Sequence, residues 1–273
     1  MDVFISIDME GVAGVATREQ CRRGADDYPM GRRLMTAEAN AAIEGSIEGG
    51  ARHVVLRDAH GDMANLLPAE LDRRAELIHG SPSALSMMEG IDSRPFGVAL
   101  FVGYHAGTGV EAGVLAHTYS GASFADVRLN DRSMTETELN ALLAGQHGVP
   151  VGLVTGDDKI CALAQRRLPG VRVAEVKRGH GFNVAASQHP EAACDLIRRE
   201  AVSAVEDAQG LTPTTEDGPF HLEVDLTTLR RAEVCAMPPG VERDGIAVRV
   251  TTENYLDAFR WLRTFLHLAA GAG

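Results

Sequence analysis

The sequence has 273 residues, of which 45% are hydrophobic and only 5% aromatic, and its formal net charge is −12. The hydrophobic fraction is sufficient for a sizeable core, whereas the acidic balance and the scarcity of aromatic rings disfavour binding to nucleic acid or to an anionic membrane surface. Four separated cysteines disfavour a disulfide scaffold and a zinc ribbon, and the acidic start of the chain predicts a cytoplasmic protein without a signal peptide.

The first 209 residues alternate short apolar runs with longer stretches of helical periodicity. Seven runs are typical of strands: residues 3–7, 53–56, 75–78, 98–102, 127–129, 149–155 and 171–176. Five stretches are typical of helices: residues 34–47, 84–88, 135–146, 159–168 and 191–208. This alternation predicts an α/β protein with a three-layer α/β/α architecture on a mostly parallel or mixed sheet.

The pattern changes near residue 210. Residues 210–218 are typical of a linker, and strands are predicted over residues 221–226, 233–236 and 246–250 before a final helix over residues 255–268. We therefore expect an α/β metal-binding catalytic domain over residues 1–209 and a smaller C-terminal α+β portion over residues 210–273.

The end of the first predicted strand carries two acidic side chains, Asp8 and Glu10, followed by Gly11. Side chains two positions apart on an extended chain point to the same side, and glycine permits a tight turn beside them. In open α/β sheets, ligands bind at the carboxyl ends of the strands. Each acid alone is also typical of a solvated loop, so a binding role depends on what the neighbouring strand ends carry.

Further candidate ligands follow the next strands. His60 follows the second predicted strand, His105 follows the fourth, and His117 lies in the loop beyond it. Glu136 begins a predicted helix, where an acid also complements the helix dipole. The strand ends and the segments that follow them therefore place imidazoles and carboxylates at one edge of a sheet.

Clustered carboxylates repel one another unless cations neutralise them. Mixed imidazole and carboxylate ligands suit zinc, and manganese or iron less specifically. Five ligands exceed the usual set of one catalytic zinc ion, so we expect two ions that share a bridging carboxylate, for which Asp8 is the best placed.

Two polar pairs have weaker functional interpretations. Asp157 and Asp158 begin a predicted helix, where N-capping competes with binding of a substrate ammonium. Lys177 and Arg178 follow a predicted strand and would either bind an anion or form a solvated basic pair.

The motif Ser6-Ile7-Asp8-Met9-Glu10-Gly11 resembles the Ser-x-Asp-x-Glu-Gly signature of the zinc D-aminopeptidases of the M55 peptidase family. Similar blocks follow in the order of that family: residues 35–40, 58–60, 87–90, 103–106, 113–118, 136–140 and 156–158. The series covers most of the chain to about residue 177, and an ordered series is more specific than any single motif.

The resemblance implies five metal ligands: Asp8, Glu10, His60, His105 and Glu136. It also implies two zinc ions per subunit, a catalytic histidine at His117, and a ring-shaped homo-oligomer, commonly a decamer. The implied substrates are short peptides with an N-terminal D-amino acid, such as D-Ala-D-Ala. The chain departs from the family at Thr135, where glycine is common, and after Lys177, where it lacks an expected arginine; both departures concern substrate preference more than metal binding.

We expect hydrolysis of a peptide bond by a metal-activated water, with His117 moving a proton to the leaving amine because imidazole titrates near pH ~6.5. Direct attack and oxyanion stabilisation by His117 remain open. One alternative is another two-metal hydrolase, an amidase or a phosphoesterase, with Lys177 and Arg178 as the phosphate clamp. A second alternative is a non-enzymatic peptide-binding component, which needs no metal.

Overall fold

The chain forms twelve strands and seven α-helices, and the computed structural model describes all 273 residues. The strands are β1 (Asp2–Ile7), β2 (His53–Asp58), β3 (Ala75–Ile78), β4 (Val98–Tyr104), β5 (Phe124–Leu129), β6 (Arg132–Ser133), β7 (Val151–Asp157), β8 (Arg172–Gly181), β9 (Val184–Ser187), β10 (Phe220–Leu226), β11 (Glu242–Asp244) and β12 (Ala247–Thr252). The helices are α1 (Arg18–Cys21), α2 (Tyr28–Glu48), α3 (Glu136–Gln146), α4 (Asp158–Arg167), α5 (Pro190–Glu206), α6 (Leu229–Cys235) and α7 (Tyr255–Gly271). No helix is both long and apolar enough to cross a membrane.

A seven-stranded sheet in the order β3-β2-β1-β4-β7-β8-β9 forms the centre of the molecule. Every neighbouring pair is parallel except β8 and β9, which form an antiparallel hairpin. From β1 the chain first adds β2 and β3 on one side and then β4, β7 and β8 on the other, so the strand order reverses between β1 and β4. The carboxyl ends of these two strands therefore border the crevice where α/β sheets bind ligands.

Helices cover both faces of this sheet, as predicted. On one face, α2 and α5 pack against each other over a hydrophobic cluster of 31 buried residues. On the other face, α3 and α4 join a cluster of 41 buried residues that also includes side chains of α6 and α7. All seven residues of β4 are buried, because a central parallel strand has helices above and below it.

A second sheet of five strands, in the order β11-β12-β10-β5-β6, packs beside this core. Its strands pair antiparallel, and β10 alternates buried and more exposed residues because one face packs against α7. Strands β5 and β6 come from the part of the chain before residue 210, and β5 pairs with β10 from the part after it. The proposed division into residues 1–209 and 210–273 stays a prediction.

Two predicted elements are wrong. Residues 84–88 form only a short 3₁₀ turn at Ser86–Met88, because Ser86 has a φ of +54°, which no right-handed helix accommodates. Residues 233–236 were expected to be a strand, but they lie in or directly after α6, where Thr228 caps the helix by accepting a hydrogen bond from the Arg231 N–H. The β-branched residue in that short stretch favours a strand locally, and packing against α7 overrides this preference.

Candidate functional site

The end of β1 buries the two acids predicted from the sequence. Asp8 and Glu10 follow β1 and are only 3% and 8% exposed. The turn that holds them passes so close to the end of β4 that a Cβ on Gly11 would lie 2.0 Å from the Tyr104 carbonyl oxygen. Gly103 approaches the same turn from β4 with a φ of +66°. Glycine is required at both positions because the two backbones touch there.

The neighbouring strands bring two histidines to these acids. His60 lies two residues after β2 and His105 follows β4 directly. The Oδ1 atom of Asp8 is 3.2 Å from His60 Nδ1, and its Oδ2 atom is 3.3 Å from His105 Nε2. Glu10 Oε2 is 2.8 Å from the same nitrogen of His60. Asp8 therefore presents one carboxylate oxygen to each half of the site.

Glu136 enters from the start of α3. Thr135 is the N-cap of this helix: its hydroxyl accepts a hydrogen bond from the Glu138 N–H, which explains threonine at this position. The Oε1 atom of Glu136 lies 3.5 Å from His105 Nε2 and accepts a 2.6 Å hydrogen bond from the Tyr119 N–H. We call Asp8, Glu10, His60, His105 and Glu136 the carboxylate–histidine cluster.

His117 lies at the edge of this cluster. Its ring stacks on that of His105 with the centroids 4.3 Å apart, and its Nε2 is 3.8 Å from Glu136 Oε1. Two groups of three residues have potential ligand atoms that all lie within 4.8 Å of one another: Asp8, Glu10 and His60, and His105, His117 and Glu136. All six residues predicted from the sequence thus lie together, with His117 able either to bind a metal or to act beside it.

Each of the three histidines uses one ring nitrogen on a backbone carbonyl. His60 Nε2 is 2.9 Å from the Cys21 oxygen, His105 Nδ1 is 2.9 Å from the Ala106 oxygen, and His117 Nδ1 is 2.8 Å from the Leu115 oxygen. A carbonyl only accepts, so each of these nitrogens carries the proton. The other nitrogen of each ring faces carboxylates and is the one available to a metal, an arrangement typical of metal-ligating histidines.

Electrostatics at the cluster favour added positive charge. Burial alone raises the pKa of Asp8, but close contacts with His105 and His60 hold it well below its usual range. Burial lowers the pKa of His60, yet the charges of Glu10 and Asp8 raise it well above its usual value, and His105 behaves likewise beside Glu136. In addition, His105 Nε2 and Glu10 Oε2 are buried without a well-aligned hydrogen bond. Cations bound in the two groups would satisfy these atoms.

A sequence model of one peptidase family, M55, described as D-aminopeptidase, matches residues 1–264. The chain belongs to the M55 D-aminopeptidase family. It is 31% identical over 271 residues to the D-aminopeptidase of Bacillus subtilis (strain 168), with 98% of each protein covered. Its structure matches that of the Zn-dependent D-aminopeptidase DppA from Bacillus subtilis, a self-compartmentalizing protease, with a TM-score of 0.94, 30% identity, and 99% and 98% of the two chains covered.

These similarities confirm three predictions for this M55 chain: its family, its α/β fold class and its nature as a peptide-hydrolysing enzyme. The roles of the individual residues in the cluster depend on the geometry and stay proposals.

The buried Lys177 has a different role from the anion clamp considered from the sequence. Its ammonium donates hydrogen bonds to the backbone oxygens of Glu10, Val12 and Val15, at 3.0 Å for Val12 and 2.6 Å for Val15. Arg178 is exposed and pairs with Glu175. Lys177 therefore fixes the turn that carries Glu10, and the basis for a phosphate clamp at this pair is lost.

Asp157 caps a helix, which is the alternative to substrate binding that the sequence analysis considered. One of its carboxylate oxygens accepts hydrogen bonds from the Lys159 and Ile160 N–H groups at the start of α4, and the other accepts from the Val114 N–H. It therefore caps the helix and also secures the loop that leads to His117.

Two cavities of the M55 chain border the cluster. The larger, of about 440 Å³, is lined by Glu10, His60 and His117 together with apolar side chains such as Leu115 and Phe182. The smaller, of about 220 Å³, lies against all three acids of the cluster and against Ser86 and Arg263. A cavity of several hundred cubic ångströms is typical of small-ligand sites.

Three features of the site were not predicted from the sequence. One is the contact of Lys177 with backbone oxygens, and the second is the carbonyl of Cys21, which orients His60. The third is the pair Arg18 and Arg22, which lines the larger cavity. The four-residue spacing of these arginines is a detectable signal, because such residues share one side of a helical turn; backbone contacts leave no comparable trace in a sequence.

Proposed function

We propose that this chain is a zinc-dependent aminopeptidase that removes an N-terminal D-amino acid from short peptides such as D-Ala-D-Ala. The observation that carries the proposal is the orientation of His60, His105 and His117. Each gives one N–H to a backbone carbonyl and turns its other nitrogen toward a carboxylate. Without a metal, the protons that His60 and His105 take up at these nitrogens balance the buried carboxylates, and a metal ion would replace those protons.

Two zinc ions per subunit fit the ligands. Glu10 and His60 would bind one ion, His105 and Glu136 the other, and Asp8 would bridge them because each of its oxygens faces one histidine. When bound, zinc supplies Lewis acidity, which polarises a carbonyl group and lowers the pKa of water to about 7.

The residues of the chain account for binding and proton transfer. We assign the free amino group of a peptide, in its neutral form, to the loaded cluster as a nitrogen ligand of zinc, which favours attack next to the N-terminus. His117 has its Nδ1 proton held by the Leu115 carbonyl, so proton uptake and release occur at Nε2, which faces the larger cavity and Glu136. We assign to this atom the delivery of a proton to the leaving amine.

A ring-shaped homo-oligomer, with a decamer as the expected size, belongs to the same proposal. It is supported by DppA, which is a self-compartmentalizing protease, and by exposed apolar side chains such as Phe182 and Val184 on the β8–β9 hairpin. Sedimentation velocity on the purified protein measures the assembly size, and a monomer at micromolar concentration would contradict it. A cytoplasmic location stays a prediction.

The decisive test removes and restores the metal. The zinc-loaded protein should hydrolyse D-Ala-D-Ala and D-alanyl p-nitroanilide faster than the corresponding L-compounds and should not hydrolyse p-nitrophenyl phosphate. A chelator should abolish the activity, and zinc should restore it as two equivalents bind. Activity that is indifferent to the chelator, or saturation at one equivalent, would contradict the proposed centre.

A second test separates metal binding from proton transfer at His117. The variant His117→Ala should retain both zinc ions, measured by elemental analysis, while turnover falls by roughly 10²–10⁴-fold. Loss of one zinc ion would show that His117 is a ligand instead.

A further inference from the structure

The larger cavity combines two opposite kinds of charge. Glu10 lies on its wall with His60 and His117, so one part belongs to the acidic cluster. Arg18 and Arg22 also line it, and they are the only lysine or arginine side chains that do so. The cavity is thus polarised, with a region for a cation or a metal and a region for an anion.

Neither arginine side chain has an interaction partner within the chain. Arg18 and Arg22 are exposed, and the side chain of neither makes an ion pair or a hydrogen bond within the chain. The adjacent Arg23, by contrast, pairs with Asp62 at 2.7 Å. In a protein with a net charge of −12, two neighbouring guanidinium groups without carboxylate partners are free to bind an anionic ligand, and their planar donors suit a carboxylate.

The position of these arginines relative to the cluster is fixed by the backbone. Arg18 begins α1, and Arg22 directly follows Cys21, the last residue of that helix. The Cys21 carbonyl accepts the hydrogen bond that orients His60. The turn that carries the arginines is therefore attached to the cluster through one hydrogen bond, and a ligand can reach both.

The rest of the cavity suits the uncharged part of a short peptide that lies between its two termini. Apart from these charged groups its lining is mainly small or apolar, as at Leu115, Ala122 and Phe124, and the buried hydroxyl of Thr108 has no partner in the chain. An extended peptide advances at most about 3.3–3.6 Å per residue. The two termini of a dipeptide are therefore separated by only about 7 Å, a span that fits within a cavity of about 440 Å³.

We propose that Arg18 and Arg22 bind the C-terminal carboxylate of a short peptide substrate. The inference rests on the proposed function, because it assumes that the scissile bond lies at the carboxylate–histidine cluster. Recognition of this terminus, together with the amino group at the other end, restricts the enzyme to peptides of a few residues. Arg18 and Arg22 are then specificity determinants and take no part in bond cleavage.

The test compares two substrates that differ only at the C-terminus, D-Ala-D-Ala and D-alanyl-D-alaninamide. For Arg18→Gln and Arg22→Gln in the zinc-loaded protein, the ratio of kcat/KM between the acid and the amide should fall about 10-fold each, and about 100-fold in the double variant, mainly through KM. Arg33→Gln is the matched control, since Arg33 is exposed and unpaired but lies outside the cavity; the ratio should stay that of the unmodified protein.

Two kinetic outcomes overturn the proposal. One is an unchanged ratio in the double variant. The other is an equal loss for acid and amide, especially with a change in sedimentation coefficient, which would assign the arginines to contacts between subunits.

A binding measurement distinguishes failure of this inference from failure of the proposed function. Calorimetry with the zinc-loaded protein and the reduced-bond analogue of D-Ala-D-Ala, which cannot be hydrolysed, should show about 10–100-fold weaker binding in the double variant. The amide of the analogue should bind all variants alike. If the protein binds the acid analogue through the arginines but cleaves neither substrate, the proposed function fails and the inference stands. If it cleaves both substrates and the analogues bind equally, the inference fails alone.

Discussion

Two groups of charged side chains in this molecule differ in the source of their positive charge. In the second sheet, Arg128 contacts Asp126, Glu223 and Asp225, and Arg249 contacts Glu223 from the next strand. This network contains its own cations and is partly exposed to solvent.

In the carboxylate–histidine cluster, the only positive charge within the chain is that of protonated histidine. Three of its members are acids buried at the edge of the first sheet, and neither lysine nor arginine pairs with their carboxylates. Its geometry is equally well defined, but its positive charge is supplied either by protons on His60 and His105 or by a bound metal. A network that is complete within the chain contributes a little stability, whereas an incomplete buried cluster makes the folded state depend on its ligand.

The largest expected effect follows from removing that ligand. Chelation should lower the melting temperature of the wild-type protein by roughly 10 °C, because a metal at 1,000 times its Kd stabilises the fold by about 4 kcal/mol. Calorimetry with and without added zinc measures the effect. In Asp8→Asn, which removes the bridging charge, the chelator should cause little further change. A wild-type melting temperature that does not respond to the chelator would remove the distinction between the two networks.

The next effect concerns Lys177, a buried cation beside the turn that carries Glu10, whose ammonium donates hydrogen bonds to backbone oxygens only. Lys177→Met leaves three buried carbonyls without their charged donor, which should cost about 3 kcal/mol or more of unfolding free energy. Since the turn carries Glu10, zinc should also bind about 10–100-fold more weakly. Urea unfolding and zinc titration measure the two effects.

The neighbouring Arg178→Gln is the control for this prediction. Arg178 is exposed and makes one surface pair, so its loss should change stability by less than about 0.5 kcal/mol. Equal effects of the two substitutions would show that the contacts of Lys177 with the turn are unimportant.

The contrast between the two charged groups also explains what the sequence could predict. Asp8, Glu10, His60 and His105 follow strands of one parallel sheet, whose carboxyl ends necessarily converge, so position in the chain was sufficient. Glu136 was identifiable because an acid at a helix start is a local feature. Such predictions require only the order of elements and the side of the sheet.

Contacts between segments that are far apart in the chain could not be predicted from the sequence. Arg128 pairs with acids of β10 because β5 and β10 are adjacent strands, although about a hundred residues separate their positions in the chain. From the sequence, Lys177 was expected to bind an anion or to be solvated. None of its neighbours in the sequence indicates that three backbone oxygens surround its ammonium. In both cases the charge environment is created by tertiary packing, which residue spacing does not encode.

Glu38 is a buried acid that belongs to neither group of charged side chains, and it should make the stability of the protein depend on pH. Glu38 accepts a hydrogen bond from the Ala13 N–H, and burial raises its pKa from 4.5 to about 7. The folded protein therefore holds this proton between pH 4.5 and 7 while the unfolded chain releases it, so the stabilisation is complete below pH 4.5 and is lost as the pH rises toward 7.

Glu38→Gln mimics the protonated acid and should abolish this dependence. Relative to wild type, the variant should gain about 2–3 kcal/mol of unfolding free energy between pH 4.5 and pH 7. Urea titrations at several pH values, with zinc in equal excess for both proteins, measure the difference. A difference that is constant with pH, or that grows toward acid, would contradict it.

The smallest effect is expected in the network that is complete within the chain. Arg128→Gln leaves three acids close together, but their side chains are about a quarter exposed, so water and salt screen the repulsion and the cost should be about 1 kcal/mol. In 1 M salt, where charges are screened beyond about 3 Å, most of this cost should disappear. Zinc content and hydrolysis should match wild type, since β5 and β10 carry none of the cluster. If Arg128→Gln instead destabilised the protein as much as chelation does, or altered zinc binding, then the second sheet would share in holding the cluster and the two charged groups would be one system.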